Sequence, residues 1–559
     1  MTPIWLTKHQ SRVPSVYLSF YSIYSDPSHN TLQDNQLKTD INAIKNALAR
    51  SGFRTRHAVV LVGDKSTTND FDLEDRISAI RRATALDAKN GLFFLPYSTS
   101  DTELSSSVAS ILAALQPICV DYYRDLTKHS RRKKSRGYAP LPTASARSTS
   151  QSLTLHGWNV RYDFKLAVFA EFRQEMDVAQ RHYESALEEL FDPEGDLETT
   201  PSWSPRWNDC RLLCDILAFR ILRCLIWRNM TSSASESWCN YKYRMKDLID
   251  RRGKGTDGYG WEAWEARWAK LMAQLIDMAE LPVFRSIDMS ESQQTDSPST
   301  SAVYARPEKS YTTTDRIPPF HYLHHVGYWW SIVSKRIVAR RRKAETVPLE
   351  DRLPPTEVST AEVARRTRTY DTYLVPQPHD EMPQAGTSAY DYLLDLQSQT
   401  GRAETEFASR GQVRAVQCLR LEFARELVRA TRFDEALESL QPIWTDMIWR
   451  REDWFSLTAE VLRLMHQVTT QIGHKALLVE IVWEMHGICK SVHSEPHTAT
   501  DNSPALHIEA EDLLQSLDYA AESDQNTLIA LNSDSRLSPG ETCISFSIQC
   551  FRLTVSQLT

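Results

Sequence analysis

Helical periodicity constrains the fold of this chain more than any other feature. From residue 158 to about residue 492, nearly every patterned segment repeats its apolar residues at three- and four-residue spacing, the period of an α-helix. Only 17 of the 559 residues are glycine, which suits long helices because glycine destabilises helix interiors. Since a helix pair cannot bury its apolar face alone, a run of helices this long predicts an α-solenoid of stacked pairs.

Two segments of this region are typical of tetratricopeptide-like helix pairs. In each, the second helix carries small and large apolar residues at helical spacing, so that the two helices can approach closely. These residues are Ala179, Tyr183 and Ala186 in the first pair, and Ala436, Leu440 and Ile443 in the second. Both pairs lack the full set of repeat residues, so we expect degenerate repeats.

The N-terminal part has a different pattern, in which strand and helix alternate three times between residue 14 and about residue 116. Strands rich in Val, Ile, Tyr and Phe are predicted at 15–23, 57–62 and 92–95, each followed by a helical pattern. Repeated strand–helix units predict a small parallel sheet. The expected fold class is therefore mainly α, with an N-terminal α/β domain and a TPR-like α-solenoid.

Composition sets the predicted domain boundaries. We expect an α/β domain at 1–130 that ends in a helix with a basic end, a Ser/Thr/Ala/Pro-rich linker at 131–157 and the solenoid at 158–492. Two stretches poor in apolar residues, 286–316 and 344–388, predict disordered insertions in the solenoid. Residues 493–559 are polar, and their strand-like end predicts the start of a truncated β domain.

Charge, cysteine and hydropathy patterns exclude several classes of protein. The 65 basic and 72 acidic residues give a net charge of −7, which argues against a nucleic-acid binder. The nine cysteines include no C-x2-C pair, so no zinc knuckle is indicated. The N-terminus lacks the apolar core of a signal peptide, and no run of 18 uninterrupted apolar residues occurs. These features predict a cytosolic chain with reduced cysteines.

Two glycine-containing motifs imitate phosphate-binding loops. Residues 253–258 spell G-x-G-x-x-G, but they follow a predicted helix, whereas a dinucleotide fingerprint follows a strand. Residues 63–67 follow a strand, but they lack the second glycine of a phosphate loop and the lysine next to its last glycine. We interpret the first motif as a helix stop and the second as a surface turn.

Other motifs also favour structural interpretations. His321, His324 and His325 have no acidic third ligand nearby, so we expect partly exposed polar side chains at a helix start. Cys210 and Cys214 are expected to pack in a core, as are three tryptophans at helical spacing, Trp261, Trp264 and Trp268. We identify no catalytic residues, no metal ligands and no cofactor site, and predict that the chain is not an enzyme.

Two basic clusters flank the predicted linker and one predicted insertion. They comprise Arg131, Arg132, Lys133, Lys134 and Arg136 in the first cluster, and Arg340, Arg341, Arg342 and Lys343 in the second. Such clusters attract anionic membranes by about 1 kcal/mol per charge, although solvated linker ends carry the same composition. The first cluster is our candidate contact for a membrane or a protein partner.

An ordered set of segments spans the chain from about residue 13 to about residue 490. They are 13–23, 57–65, 91–97, the Tyr122-Tyr123 helix, 164–190, 210–221, 261–279, 328–341 and 432–462. In order and rough spacing this set resembles the foie-gras-domain family, which includes a subunit of TRAPP (trafficking protein particle) vesicle-tethering complexes. The chain departs from the family in its insertions and in stopping where members continue into β-sandwich-like domains.

The resemblance implies a non-catalytic scaffold subunit that acts in ER-to-Golgi transport and autophagy. Its implied partners are other TRAPP subunits, with a Rab GTPase engaged indirectly through the complex. Its implied location is cytoplasmic and peripheral at cis-Golgi and ER–Golgi intermediate membranes, and the family has no catalytic residues to carry over. Two alternatives remain open: a solenoid adaptor of another cytosolic assembly, and an enzyme whose α/β domain binds a nucleotide.

Overall fold

The computed structural model describes residues 3–26, 28–69, 71–87, 90–97, 100–136, 154–280, 324–383, 390–452 and 454–493. The chain divides into two compact units, Met1–Tyr243 and Arg244–Thr559. The boundary falls inside one helix, Thr231–Arg251. The predicted insertion at 286–316 and the predicted β-domain start within 493–559 lie outside the described residues, apart from His493.

The first unit opens on the α/β domain, whose three strands confirm the predicted parallel sheet. The strand order is β1-β2-β3, with both neighbouring pairs parallel. Its elements are α1 (Pro3–Thr7), a π-helical turn (Lys8–Arg12), β1 (Val16–Ile23), α2 (Asn30–Arg50), β2 (Arg56–Gly63), a 3₁₀ turn (Lys65–Asn69), α3 (Leu73–Thr84), β3 (Leu92–Leu95) and α4 (Asp101–Lys134).

The central strand β2 supplies the middle of this domain's core. Val59 and Leu61 are fully buried and pack with Ile41 of α2 and Ile80 of α3. Burying a side chain of this size contributes about 1.5–3 kcal/mol. A buried ion pair, in which Arg76 lies 2.9 Å from Asp34, also joins α3 to α2.

The helix α4 is longer than the sequence pattern suggests. The periodicity predicts a helix ending near Leu115 and a separate helical segment from Cys119, but one 34-residue helix covers both. Pro117 lies inside it. Proline removes one backbone hydrogen bond and kinks a helix, but the chain continues helically on both sides. The predicted linker start at residue 131 is therefore wrong, because α4 extends to Lys134 and the next helix begins at Leu155.

The remaining helices confirm the TPR-like solenoid. They are α5 (Leu155–Phe172), α6 (Met176–Phe191), α7 (Asp196–Thr199), α8 (Pro205–Trp227), α9 (Thr231–Arg251), α10 (Tyr259–Ala279), α11 (Val326–Glu345), α12 (Thr360–Thr369), α13 (Pro378–Glu381), α14 (Tyr392–Ser409), α15 (Val413–Arg429), α16 (Phe433–Thr445), α17 (Ile448–Arg451), α18 (Phe455–Ile472) and α19 (Lys475–His493). Both predicted pairs form, as α5–α6 and α15–α16, and their predicted small and large apolar residues are buried.

A single turn geometry recurs between successive helices. Each of these turns has one residue with a positive φ, and the next residue donates its N–H to the carbonyl five residues earlier, at 2.9–3.3 Å. This bond closes the helix C-terminus as in a Schellman motif. The positive-φ residues are Gln174, Asn229, Gly253, Gly411, Thr431 and Gly473.

The prediction of disorder at 344–388 is wrong for the residues that the structure describes there. The segment contains a 3₁₀ turn (Leu349–Arg352), α12 and α13. Val347 and Val375 are buried in one cluster with Tyr259 of α10. A methyl group on Gly260 would lie 2.0 Å from the Asp371 carbonyl oxygen, so this segment packs directly on α10.

Polar contacts replace the missing apolar residues in this segment. Arg366 is 4% exposed and donates to the carbonyl of Leu353 at 2.7 Å. Tyr370 donates its hydroxyl to the buried Asp351 carboxylate at 2.5 Å. Buried charges are stable when they are paired and hydrogen-bonded. A composition argument that counts only apolar residues therefore misses this part of the fold.

Candidate contact surfaces

The first basic cluster lies at the C-terminal end of α4, and its members differ in exposure. Arg131, Arg132 and Arg136 are exposed, whereas Lys133 and Lys134 are half-buried. Cations in the last turn are favoured by the negative end of the helix dipole. The sequence cluster therefore does not form one uniformly exposed surface.

Lys134 is a structural residue. Its amine lies 2.6 Å from Asp163 of α5, whose side chain is 1% exposed. His182 of α6 also lies 3.1 Å from this carboxylate. Burial alone would raise the pKa of Asp163, but the hydrogen bonds from His182 and Lys134 outweigh burial and lower it. Lys134 thus fastens α4 to α5, and the candidate contact is reduced to the other four residues.

These four cations have unbalanced charge. Within the described part of the chain, Arg131, Arg132, Lys133 and Arg136 form no ion pair with an acidic side chain. Burial lowers the pKa of the neighbouring Lys165 to about 8, and the positive charges of Arg161 and Lys133 lower it further. A surface of this kind attracts anions from solution.

The second basic cluster is neutralised. Arg340 pairs with Glu381 at 2.7 Å and Arg341 with Glu345 at 2.7 Å. The two remaining pairs are Arg342 with Glu426 at 2.9 Å and Lys343 with Glu262 at 2.6 Å. Three of these acids come from distant parts of the chain, so the cluster ties α11 to its neighbours. The interpretation of residues 340–343 as the solvated end of a linker is therefore wrong, because all four cations are paired with acidic side chains.

An exposed apolar surface on α4 escaped the sequence argument. Leu104, Val108 and Leu112 are 42%, 42% and 61% exposed. Within the described residues, α4 is also the one helix long and apolar enough to cross a membrane by length and composition. Periodicity predicted that this first part of α4 is helical, but it carries no information about whether a neighbour covers the apolar side chains.

The glycine motifs have structural roles. Gly253 ends α9 with φ +72°, and Gly258 precedes α10. The amine of Lys254 between them donates to the carbonyls of Thr367 and Tyr370 at 3.1 and 2.9 Å. In the other motif, the Asp64 carboxylate accepts the Ser66 N–H at 2.9 Å, so the loop's own acid occupies the position of a bound anion.

The histidines and cysteines also occupy structural positions. His325 is the N-cap of α11, and its ring accepts the Tyr328 N–H at 3.3 Å. The ring centre of His324 lies 3.8 Å from that of Tyr328. His321 lies outside the described residues. Burial raises the pKa of the Cys210 thiol to about 11, as expected for a packed cysteine. No group of three metal-ligating side chains occurs among the described residues. The stripe at Trp261, Trp264 and Trp268 is buried, as predicted.

The second unit also contains a cavity of about 230 Å³ between α10, α11 and α14. Ala263 and Val333 contribute apolar wall, and Arg267 and Lys270 also line it. Cavities of about 150 Å³ hold a benzene ring, so this one has room for an aromatic-sized group. Asp395 and Gln399 line it as well, so the wall carries both signs of charge.

Comparison with known families identifies the chain. The sequence model described as "Foie gras liver health family 1" matches residues 206–487, slightly more than half of the chain. The chain belongs to the foie gras family. A second model, the N-terminal domain of trafficking protein particle complex subunit 11, matches residues 1–104 and covers the three-stranded sheet.

Individual relatives of this foie gras chain carry the same name. Trafficking protein particle complex subunit 11 from human and from cattle are each 26% identical to the chain over 185 residues. The match covers 33% of this chain and 15% of each relative's length. The chicken protein of that name has the same identity and coverage. The foie gras region therefore covers most of the solenoid predicted at 158–492, from α8 into α19, and leaves out the first helix pair α5–α6.

Proposed function

We propose that this foie gras chain is a non-catalytic scaffold subunit of a TRAPP vesicle-tethering complex. The two family matches in their order along the chain carry the proposal, because one covers the α/β domain and the other most of the solenoid. Stacked helix pairs offer long surfaces for binding other proteins. The architecture is therefore suited to holding several subunits together.

The finer parts of the proposal concern pathway, partners and place. The chain acts in ER-to-Golgi transport and in autophagy, at cis-Golgi and ER–Golgi intermediate membranes, as a peripheral cytoplasmic protein. It binds other TRAPP subunits directly and a Rab GTPase only through the complex. The names of the relatives support the complex, and the solenoid supports direct binding of protein partners.

Contact with membranes is a further part of this proposal. The end of α4 is positively charged, because Arg131, Arg132, Lys133 and Arg136 have no acidic partner among the described residues. Each such charge near an anionic bilayer contributes about 1 kcal/mol. We assign this surface to anionic headgroups.

Quantitative affinity purification tests the proposed assembly. The tagged chain is expressed in cells of its own source, and recovered proteins are quantified against the same cells expressing the tag alone. We expect other TRAPP subunits at near-equal molar amounts. Recovery of a different, stoichiometric set of proteins would support the adaptor alternative and reject the tethering proposal.

A further inference from the structure

The half-buried amine of Lys165 on α5 is a positive charge that the fold does not balance. Its Nζ lies 5.2 Å from the centre of the Trp5 ring and 5.1 Å from that of the Tyr162 ring. Within the described part of the chain, no carboxylate forms an ion pair with it. Aromatic faces compensate a cation only in part, because a buried charge is stable when it is paired and hydrogen-bonded.

Two further cations lie beside this amine. Arg161 is exposed and precedes Lys165 by one helical turn on the same side of α5. Lys133 lies at the end of α4, which the ion pair of Lys134 with Asp163 at 2.6 Å holds against α5. Neither Arg161 nor Lys133 forms an ion pair with an acidic side chain among the described residues. The ends of two neighbouring helices therefore bring three unbalanced cations together.

The N-terminal segment packs beside the same site and adds no acidic group to it. The ring of His9 lies 5.4 Å from the ring of Phe169, which is one turn after Lys165 on α5. Burial lowers the pKa of His9, and the charges of Lys8 and Lys165 lower it further, so this ring is neutral at pH 7. The described groups that face Lys165 from the N-terminal segment, α4 and α5 are thus cationic, neutral or aromatic.

The titration of Lys165 agrees with this arrangement. Burial first, and then the charges of Arg161 and Lys133, lower the pKa of its amine to about 8. An anion bound beside the amine would favour the charged form and raise this pKa again. Binding of an anion at pH 8 is therefore coupled to the uptake of a proton.

We propose that Lys133, Arg161 and Lys165 bind the phosphomonoester of a phosphorylated inositol lipid. A phosphomonoester concentrates a charge of about −1.5 to −2 on three oxygens, which three converging cations can surround. The headgroup of phosphatidylserine fits less well, because it also carries an ammonium that these cations repel. The inference rests on the proposed headgroup contact and names its ligand.

Two observations favour a lipid over a soluble phosphate. The half-buried Trp5 ring and the exposed Arg136 flank the site, and both side chains suit the headgroup region of an anionic bilayer. Lys165 is half-buried, so a phosphate has to project from the bilayer to reach it. A phosphorylated inositol ring carries its phosphate away from the bilayer in this way.

Vesicle co-sedimentation of the full chain tests the ligand. One set of phosphatidylcholine vesicles carries about 10% phosphatidylinositol 4-phosphate and the other about 30% phosphatidylinositol, so that their total charges are roughly equal. The two lipids differ by one phosphomonoester. We expect about tenfold tighter binding to the phosphorylated lipid, and at least about tenfold weaker binding of the free headgroup, inositol 1,4-bisphosphate, in calorimetry.

Lys165→Met tests the site and keeps the apolar stem of the side chain. It should abolish the preference for the phosphorylated lipid. The variant should not lower the melting temperature, because it removes a charge that the fold does not balance. The matched control is Arg131→Met, because Arg131 is two residues before Lys133 and projects from nearly the opposite side of α4. We expect less than about a twofold change in the preference of this control.

The pH dependence of binding gives a readout that a merely structural lysine would not change. Affinity follows the protonated fraction of Lys165, so it should fall about tenfold from pH 7 to pH 9. The phosphomonoester stays ionised over this range, because its second pKa is about 6. Lys165→Arg should keep the lipid preference and lose this pH dependence, because arginine stays charged.

Equal binding to the two charge-matched vesicle sets would overturn the inference and leave the general headgroup contact standing. A preference that survives in Lys165→Met, or a wild-type affinity that does not change between pH 7 and pH 9, would also overturn it. Binding of inositol 1,4-bisphosphate as tight as that of the vesicles would identify a soluble ligand and reject the lipid. None of these results bears on whether the chain recovers TRAPP subunits, which the affinity purification tests separately.

Discussion

Replacement of Glu381 by glutamine should release the segment that the sequence predicts as disordered. Glu381 accepts two hydrogen bonds from Arg340 of α11, at 2.7 and 2.8 Å. Their side chains are only 4% and 11% exposed. The amide of glutamine keeps the shape of the side chain but removes its charge, which leaves the Arg340 guanidinium buried without a counter-ion.

The expected cost follows from this burial. Removing one partner of a buried ion pair costs about 3–5 kcal/mol. The Arg340 guanidinium also lies 3.7 Å from the Tyr390 ring centre, and this cation–π contact keeps part of its stabilisation. We therefore expect the low end of the range, about 3 kcal/mol, or roughly a hundredfold higher population of the locally opened segment.

Hydrogen exchange measured by mass spectrometry reports this opening directly. Peptides covering α12 and α13 should exchange much faster in Glu381→Gln than in the wild-type chain. The matched control is Glu345→Gln on α11, because Glu345 pairs with Arg341 at the same 2.7 Å but is 46% exposed. An exposed pair contributes about 0.3–0.5 kcal/mol. Equal exchange in the two variants would refute the argument that buried ion pairs hold this segment.

Four shorter predictions follow from other parts of the molecule. Thr431→Gly should raise the free energy of unfolding by up to about 1 kcal/mol, because a β-branched residue is strained at φ +60°. Gly411→Ala should lower the free energy of unfolding by a similar amount, because Gly411 has φ +68° and the space around it is open. Burial, followed by the charge of Arg410, lowers the pKa of His325 to about 4. The neutral ring therefore stabilises the fold above pH 6.5, and this contribution is lost as the pH falls from 6.5 towards 4. Thermal unfolding at pH 7 and pH 5 should show a smaller loss of stability for His325→Asn than for the wild-type chain. Trp264→Ala, which empties a fully buried position, should cost about 3–5 kcal/mol in thermal or denaturant unfolding. Calorimetry with ATP or GTP should show no binding at micromolar concentration, and measurable heat would revive the enzyme alternative.

The sequence predicted the parts of the fold that depend on apolar periodicity. The three strands, the pairs α5–α6 and α15–α16 and the buried tryptophan stripe of α10 all depend on local patterns that survive folding unchanged. The segment after α11 depends instead on ion pairs between distant residues, such as Arg340 with Glu381. Such pairs leave no local pattern, so composition alone predicted disorder.

The candidate contact surface was only partly predictable for a similar reason. The two basic clusters look alike in sequence, but the second is neutralised by acids that folding brings to it, including Glu426 and Glu262. In the first cluster, Lys134 alone is paired in this way within the part of the chain that the structure describes, with Asp163. The exposed stripe at Leu104 and Leu112 has the periodicity of a buried helix, and only the structure distinguishes the two states.

Cross-linking mass spectrometry on the affinity-purified assembly tests the central claim most directly, because it reports both which proteins bind and where on this chain they bind. The account predicts cross-links from the foie gras region, residues 206–487, to other TRAPP subunits. A purified assembly without TRAPP subunits, or one in which their cross-links avoid this region, would contradict the claim that the solenoid is the scaffold.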